Sequence, residues 1–222
     1  MKKKLLALLC AFGIMLSVSL PVSAATSFKD VPSSHWAYQD IMTFIGFGAI
    51  NGYPDGTFHP ENNISYAEVA TVYYNLMGDI DAEYQSFYPD VSSNHWAYKA
   101  ITNAGIYLPL YPDNHFYPGN NAEREDIAYF LGLYVSFVTE KDTAGTKSNF
   151  SDYNQISPDL APYVDFAVEA GLINGYANGT FAPTAPVTRA EFVVMLNRLN
   201  TYLVNADKDI TFSSLAVAEA FF

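Results

Sequence analysis

The stretch Tyr176–Leu199, YANGTFAPTAPVTRAEFVVMLNRL, decides the fold, because it holds an aromatic turn, a helix start and an apolar helix in one line. Thr188 followed three residues later by Glu191 is a capping box: the hydroxyl accepts from a first-turn N–H, and the carboxylate reaches back to the N-cap N–H. Both residues are therefore read as structural helix caps. Arg189 has no place in that box, and a cation in the first turn sits at the positive end of the helix dipole, where it is mildly unfavourable. Two readings are open for it. Its aliphatic stem can cover apolar surface with the head in water, or its guanidinium can hold an anion together with free helix N–H groups. Recurrence of the same spacing along the chain favours the anion.

The stretch occurs twice earlier in altered form. A first unit reads Phe28-Lys29-Asp30-Val31, then His35-Trp36-Ala37-Tyr38, Gly52-Tyr53-Pro54-Asp55-Gly56-Thr57-Phe58, and Ser65-Tyr66-Ala67-Glu68. The second has Tyr88-Pro89-Asp90-Val91, His95-Trp96-Ala97-Tyr98, Tyr111-Pro112-Asp113 and Glu123-Arg124-Glu125-Asp126. The third runs from Phe150-Ser151-Asp152-Tyr153 through Gly175-Tyr176 to the complete box. Each unit reads as helix, aromatic loop, helix. In the first unit Ser33 or Ser34 is expected to cap a helix of about Trp36 to Phe47 that Gly48 ends, and Pro-Asp-Gly marks a turn. The second helices, about Ser65 to Met77, Ile127 to Val135 and Phe192 to Leu199, are apolar on almost every side, which places them in a core. The chain is thus expected to be all-α, with three helix-loop-helix repeats forming a pseudo-threefold spindle around a central three-helix bundle.

Residues 1–24 carry the three parts of an export signal: Lys2 to Lys4, the apolar run Leu5 to Leu20, and Val22-Ser23-Ala24 as the cleavage site. The apolar run is short for a bilayer span and is followed at once by Pro21. Removing the signal subtracts 3 of 11 basic residues and none of the 23 acidic ones, so the net charge moves from −12 to 8 − 23 = −15. Such a surface argues against nucleic acid and anionic lipid as partners, while leaving room for a few local cations around an acidic glycan. Cys10, the single cysteine, leaves with the signal, which removes disulfide and thiol chemistry. No segment after Ala24 reads as a membrane span. The four histidines are scattered without zinc-ligand spacing, no EF-hand pattern exists, and no cofactor or metal is expected.

In the order and triplication of these motifs the chain resembles the S-layer homology family over about residues 26 to 200. The family pattern has an F-x-D-V opening, a W-A-Y helix, a G-Y-P-D-G-T-F loop and a T-R-A-E helix start. The resemblance divides the chain into a signal peptide (1–24), modules at 26–80, 84–138 and 150–200, a linker at 139–149, and a tail at 201–222. It implies an exported, secreted protein at the cell wall, S-layer or cell surface, anchored without covalent bonds. The family's usual ligand is a secondary cell-wall polysaccharide, often carrying pyruvate ketals, bound in grooves between modules to which the motif Arg contributes.

Carried onto this chain, the glycan-binding candidates are Arg189 and Arg124, with Asp30, Asp90 and Asp152 and with Tyr53, Tyr111 and Tyr176. For the aspartates capping is as plausible as groove lining, and the tyrosines suit a groove edge or a core edge. Ser65 and Glu68 keep the cap of unit one, but Tyr66 stands where the family has Arg. Glu123, Glu125 and Asp126 surround Arg124 with carboxylates. The groove using Arg189 is therefore expected to be the best, and that using Tyr66 the poorest. Trp36 and Trp96 are expected in the core rather than stacked on sugar, with His35 and His95 as capping or surface groups.

A non-catalytic anchor is the reading the residues favour. Alternatives are an adaptor or a remnant of a larger S-layer or wall-associated protein, with the tail as a segment for an envelope protein partner. A wall glycosidase using Glu68 and Glu191 is opposed by the capping roles of both.

Overall fold

A computed structural model describes residues 27–77, 87–104, 108, 111–139 and 145–206. The signal sequence and most of the tail lie outside the described residues. Among these, six α-helices and no strand are present: α1 Tyr38–Gly46, α2 Tyr66–Met77, α3 Tyr98–Ala104, α4 Arg124–Thr139, α5 Ala161–Glu169 and α6 Arg189–Ala206. The all-α class follows directly.

The first helices start later than the sequence suggests. In unit one a turn closed by His35 N–H to the Pro32 carbonyl and Tyr38 N–H to the His35 carbonyl precedes α1. Neither Ser33 nor Ser34 caps the helix, whose N-cap Ala37 makes no side-chain cap bond. Instead the Ala37 N–H donates to His35 Nδ1 at 3.2 Å, and in unit two the Ala97 N–H donates to His95 Nδ1 at 3.1 Å. The tryptophans consequently fall in this turn, ahead of the helix. Trp36 is 59% exposed and Trp96 67% exposed, so neither is a core residue. At the other end of α1, Gly48 takes a φ of 68°, the left-handed C-terminal conformation that glycine adopts without strain.

The units interlock cyclically. α2 packs against α3, α4 against α5, and α6 returns to α1, so that each first helix rests on the second helix of another unit. Where the three second helices begin, their lead-in segments form a closed ring of backbone bonds. Ile64 N–H donates to the Val187 carbonyl, Val187 to Ala122, and Ala122 to Ile64, at 2.9 to 3.0 Å. Isolated antiparallel bridges flank the ring at Asn63–Thr188, Ser65–Asn121 and Glu123–Pro186. Ile64, Ala122 and Val187 are fully buried, which removes water as an alternative partner for these amides.

Further along, the second helices share a core. The Tyr73 ring of α2 stacks on Phe130 of α4 at 3.7 Å and meets Phe192 of α6 edge-on at 5.9 Å. Beyond these rings an apolar cleft is lined by Leu76, Tyr134, Leu196, Leu199 and Leu203. This convergence is why helices apolar all round are tolerated in so acidic a chain.

Candidate functional site

Each second helix begins inside the loop of another unit. The first two N–H groups of α6, from Arg189 and Ala190, donate to the Asn62 and Pro60 carbonyls of unit one. Those of α2, from Tyr66 and Ala67, donate to Asn120 and Pro118, and those of α4, from Arg124 and Glu125, to Ala185 and Pro183. The third N–H is capped locally where the box exists: Glu191 N–H donates to Thr188 Oγ1 and Glu68 N–H to Ser65 Oγ. In return Glu191 Oε2 accepts the Thr188 N–H at 2.9 Å and Glu68 Oε2 the Ser65 N–H at 2.8 Å. The first three amides of α2 and α6, and the first two of α4, are therefore occupied by protein carbonyls and hydroxyls rather than left for an anion.

The residue after the cap is the key inserted into the neighbouring unit. Arg189 is 3% exposed. Its Nε donates to the Phe58 carbonyl at 3.0 Å, Nη2 to the Asn51 carbonyl at 2.8 Å, and Nη1 to Glu68 Oε1 at 3.0 Å. Tyr53 adds its hydroxyl to the same Glu68 oxygen, and its ring lies 5.1 Å from the guanidinium. Every branch of Arg189 thus has a partner, and its charge is balanced by Glu68.

Arg124 repeats this insertion in unit three with one bond fewer. Nε donates to the Phe181 carbonyl at 2.9 Å and Nη2 to the Asn174 carbonyl at 2.8 Å, with the Tyr176 ring 4.5 Å away. Among the described residues no carboxylate forms an ion pair with it. Glu191, the counterpart of Glu68, uses Oε2 for its cap. Burial lowers the guanidinium pKa, against the nearby Tyr176 and Glu191, yet Arg remains a cation. Two of its three acidic neighbours in sequence turn elsewhere: Glu125 accepts the N–H and hydroxyl of Ser157, and Asp126 accepts from Tyr66. Adjacency in sequence suggests a quenched charge, whereas among the described residues Arg124 has no ion pair and the more distant charges of Glu191 and Asp152 favour it.

At the third junction Tyr66 fills the Arg position. Its hydroxyl donates to Asp126 and accepts from Tyr111 at 2.9 Å.

The recurrent aspartates stand under the loops. Asp30 accepts the N–H groups of Phe58 and His59, Asp90 those of Phe116 and Tyr117, and Asp152 those of Phe181 and Ala182, all at 2.7 to 2.9 Å. The second residue of each pair has positive φ, 55° at His59, 53° at Tyr117 and 54° at Ala182. Each carboxylate therefore clamps a backbone turn that non-glycine residues resist. Burial raises the pKa of Asp30 and Asp152, but the paired N–H bonds outweigh it and leave both below the ordinary value. The junctions thus bring Arg189 to Tyr53, Arg124 to Tyr176 and Tyr66 to Tyr111, with the aspartates bracing the loops. Sequence reading missed the Glu68 pairing, the Tyr66–Asp126 pair and the clamped turns. Their only signal was recurrence at equivalent positions.

These features define a class: a helical repeat protein whose units are keyed head to tail by the first residue of each second helix. The chain belongs to the S-layer homology family, whose domain model, "S-layer homology domain", matches residues 27–70 and 149–193. It is 30% identical over 203 residues to a surface-layer 125 kDa protein of Lysinibacillus sphaericus, covering 88% of this chain and 17% of that protein. An S-layer protein of Bacillus licheniformis is 30% identical over 218 residues, 94% of this chain and 24% of its own length. A cellulosome-anchoring protein of Acetivibrio thermocellus is 29% identical over 173 residues, 72% of this chain and 38% of that one. The chain thus spans well under half the length of these relatives.

Proposed function

We propose that the chain is a non-catalytic anchor at the bacterial cell surface, with modules at 26–80, 84–138 and 150–200 arranged as a pseudo-threefold spindle. It holds a secondary cell-wall polysaccharide at the junctions between modules. The family and its S-layer and cellulosome-anchoring relatives support attachment to the envelope. The acidic substituent of the glycan, a carboxylate such as a pyruvate ketal carries, is assigned to the junction of Arg124 and Tyr176. The observation behind this choice is that, among the described residues, no carboxylate forms an ion pair with the buried Arg124 guanidinium, whereas Arg189 already pairs with Glu68. Tyr176, 42% exposed, offers its ring as the outer edge of that subsite. The Arg189–Tyr53 and Tyr66–Tyr111 junctions then serve neutral parts of the polymer, and the exposed indoles of Trp36 and Trp96 offer stacking faces.

The test is a titration of the mature protein against purified wall polymer, with and without its acidic groups, accompanied by melts. A charge-assisted bond contributes about 1.5 to 3 kcal/mol, so Arg124→Ala is expected to weaken binding roughly 10- to 100-fold. Lys at that position recovers part of the loss, lacking the planar fork. Tyr176→Ala, on a half-exposed ring, weakens binding with the fold intact. Unchanged affinity in both variants would overturn the assignment. A glycosidase reading would require Glu191→Gln to abolish polymer cleavage, whereas an anchor tolerates that change because Gln also completes a capping box.

A further inference from the structure

We propose that the junction between units one and two is a proton-operated clasp, which grips more firmly when the Asp126 carboxyl carries a proton and loosens when it ionises. At the Arg189 junction a guanidinium faces the helix-start carboxylate, with Nη1 3.0 Å from Glu68. Here the facing group is the phenol of Tyr66. A phenol can donate one hydrogen bond, but it brings no positive charge to offset the cost of burying a carboxylate.

Asp126 is 6% exposed. The titratable groups facing it are Tyr66 from α2, Tyr111 from the aromatic loop, and Glu123 and Glu125 from its own helix start. None is a cation, and two are carboxyls. The one guanidinium nearby in sequence, Arg124, is turned into unit three, where it binds the Phe181 and Asn174 carbonyls. Among the described residues no Lys, Arg or His pairs with Asp126. Burial, with the charges of Glu123 and Glu125 added and the Tyr66 and Tyr111 hydroxyls only partly opposing, raises its pKa to about 6. Burial and Glu125 also raise Glu123, in the same direction. Burial and Asp126 in turn push the Tyr111 phenol up to about 12, so both phenols stay protonated as donors.

The folded junction therefore holds its proton more tightly than the unfolded chain, whose aspartates titrate at the ordinary 3.8. Stability is gained as pH falls through about 6 and the gain is complete below the ordinary value. Between pH 8 and pH 5 this single site shifts the constant for opening this junction about tenfold. The effect belongs to this junction alone, because Asp126 lies between α2 of unit one and the loop of unit two. It does not depend on any glycan.

The experiment is hydrogen exchange on the full chain at pH 5 to 8, corrected for intrinsic rates, with urea unfolding at each pH. The readout is the Tyr66 and Ala67 amides, which cross this junction to Asn120 and Pro118, against Arg189 and Ala190, which cross another to Asn62 and Pro60. In the wild type, protection at Tyr66 and Ala67 should fall about tenfold more than at Arg189 and Ala190 as pH rises from 5 to 8. Asp126→Asn should remove that difference, and Tyr66→Arg, by supplying the missing cation, should remove or invert it. Equal pH dependence at the two junctions, or the same difference in Asp126→Asn as in the wild type, overturns the proposal. Should either variant fail to fold, carbon-13 titration of the wild-type Asp126 carboxyl decides: a midpoint near 6 supports the clasp and one near 4 overturns it.

Discussion

At the scale of single residues, the two motif arginines look alike in sequence and differ in company. Arg189 is keyed into unit one by three bonds, one of them to Glu68, which is itself only a quarter exposed. Removing one partner of such a pair leaves the other charge poorly solvated. We expect Arg189→Ala to cost about 3 kcal/mol, seen as a lowered urea midpoint with an unchanged slope, and double variants with Glu68→Gln to be less than additive. Arg189 stands out in the sequence because it sits in the complete box Thr188-Arg189-Ala190-Glu191, and that box is legible since its bonds span three residues. Its counterion was not, because Glu68 lies 121 positions away and nothing local shows which unit's loop the helix will enter. The same distance hides the situation of Arg124: Glu125 and Asp126 bind elsewhere, while its own surroundings come from Asp152, Asn174, Tyr176, Phe181, Glu191 and Arg198.

At the scale of elements, the aromatic loop owes its shape to two devices, one legible and one concealed. The Pro-Asp-Gly and Ala-Asn-Gly turns are readable from turn chemistry, and Gly56 and Gly179 indeed take φ of 82° and 84°. The aspartate clamp is concealed, since Asp152 and Ala182 are 30 residues apart and an alanine at positive φ has no local signature. Asp152→Ala would strand two N–H groups, one of them on the buried Phe181, at about 1–3 kcal/mol each, so a drop of several kcal/mol in urea unfolding is expected. Asp152→Asn, which keeps one acceptor, should cost less. The glycine before Tyr176 has a separate reason: a Cβ at Gly175 would come within 2.2 Å of the Phe150 ring and 2.9 Å of the Thr180 carbonyl. Gly175→Ala should destabilise by about 1–3 kcal/mol, a loss that Phe150→Leu relieves in part. The depressed carboxyls of Asp30 and Asp152 also set the acid limit. Their stabilisation is present above the ordinary carboxylate range and is lost as pH falls through their folded values. Asp126 acts in the opposite sense, so stability should be greatest in the mildly acid range and fall on both sides. Trp36 and Trp96 show the reverse: apolar type suggests a core, and helices that begin two residues further on, at Tyr38 and Tyr98, leave them outside it.

At the scale of the whole molecule, closure is the source of cooperativity. The apolar second helices announced a shared core in the sequence, but the cyclic order, with α6 returning to α1, depends on contacts between the first and last units that no local pattern carries. Each unit supplies an amide and a carbonyl to the ring of Ile64, Ala122 and Val187, so deleting any unit leaves two buried groups without partners and one first helix without its support. Deleting residues 145–206 would strip Ile64 N–H of Val187, the loop carbonyls of Asn62 and Pro60 of their donors, and α1 of α6. Tyr73 would also lose Phe192. Stranded buried amides and carbonyls cost about 1–3 kcal/mol each, against a total stability on the order of 5–15 kcal/mol. The two-unit fragment 25–144 is therefore expected to aggregate or to be molten, with helical far-ultraviolet signal but no cooperative transition. Val72→Asp and Val193→Asp, which bury an unpaired carboxylate in the shared core, should give the same phenotype in the full chain, and both should lose protection at all three junctions together. A monomeric fragment 25–144 with a sharp transition and full protection of the Tyr66 and Ala67 amides would show that each junction is stable by itself, and that closure of the ring adds nothing to folding.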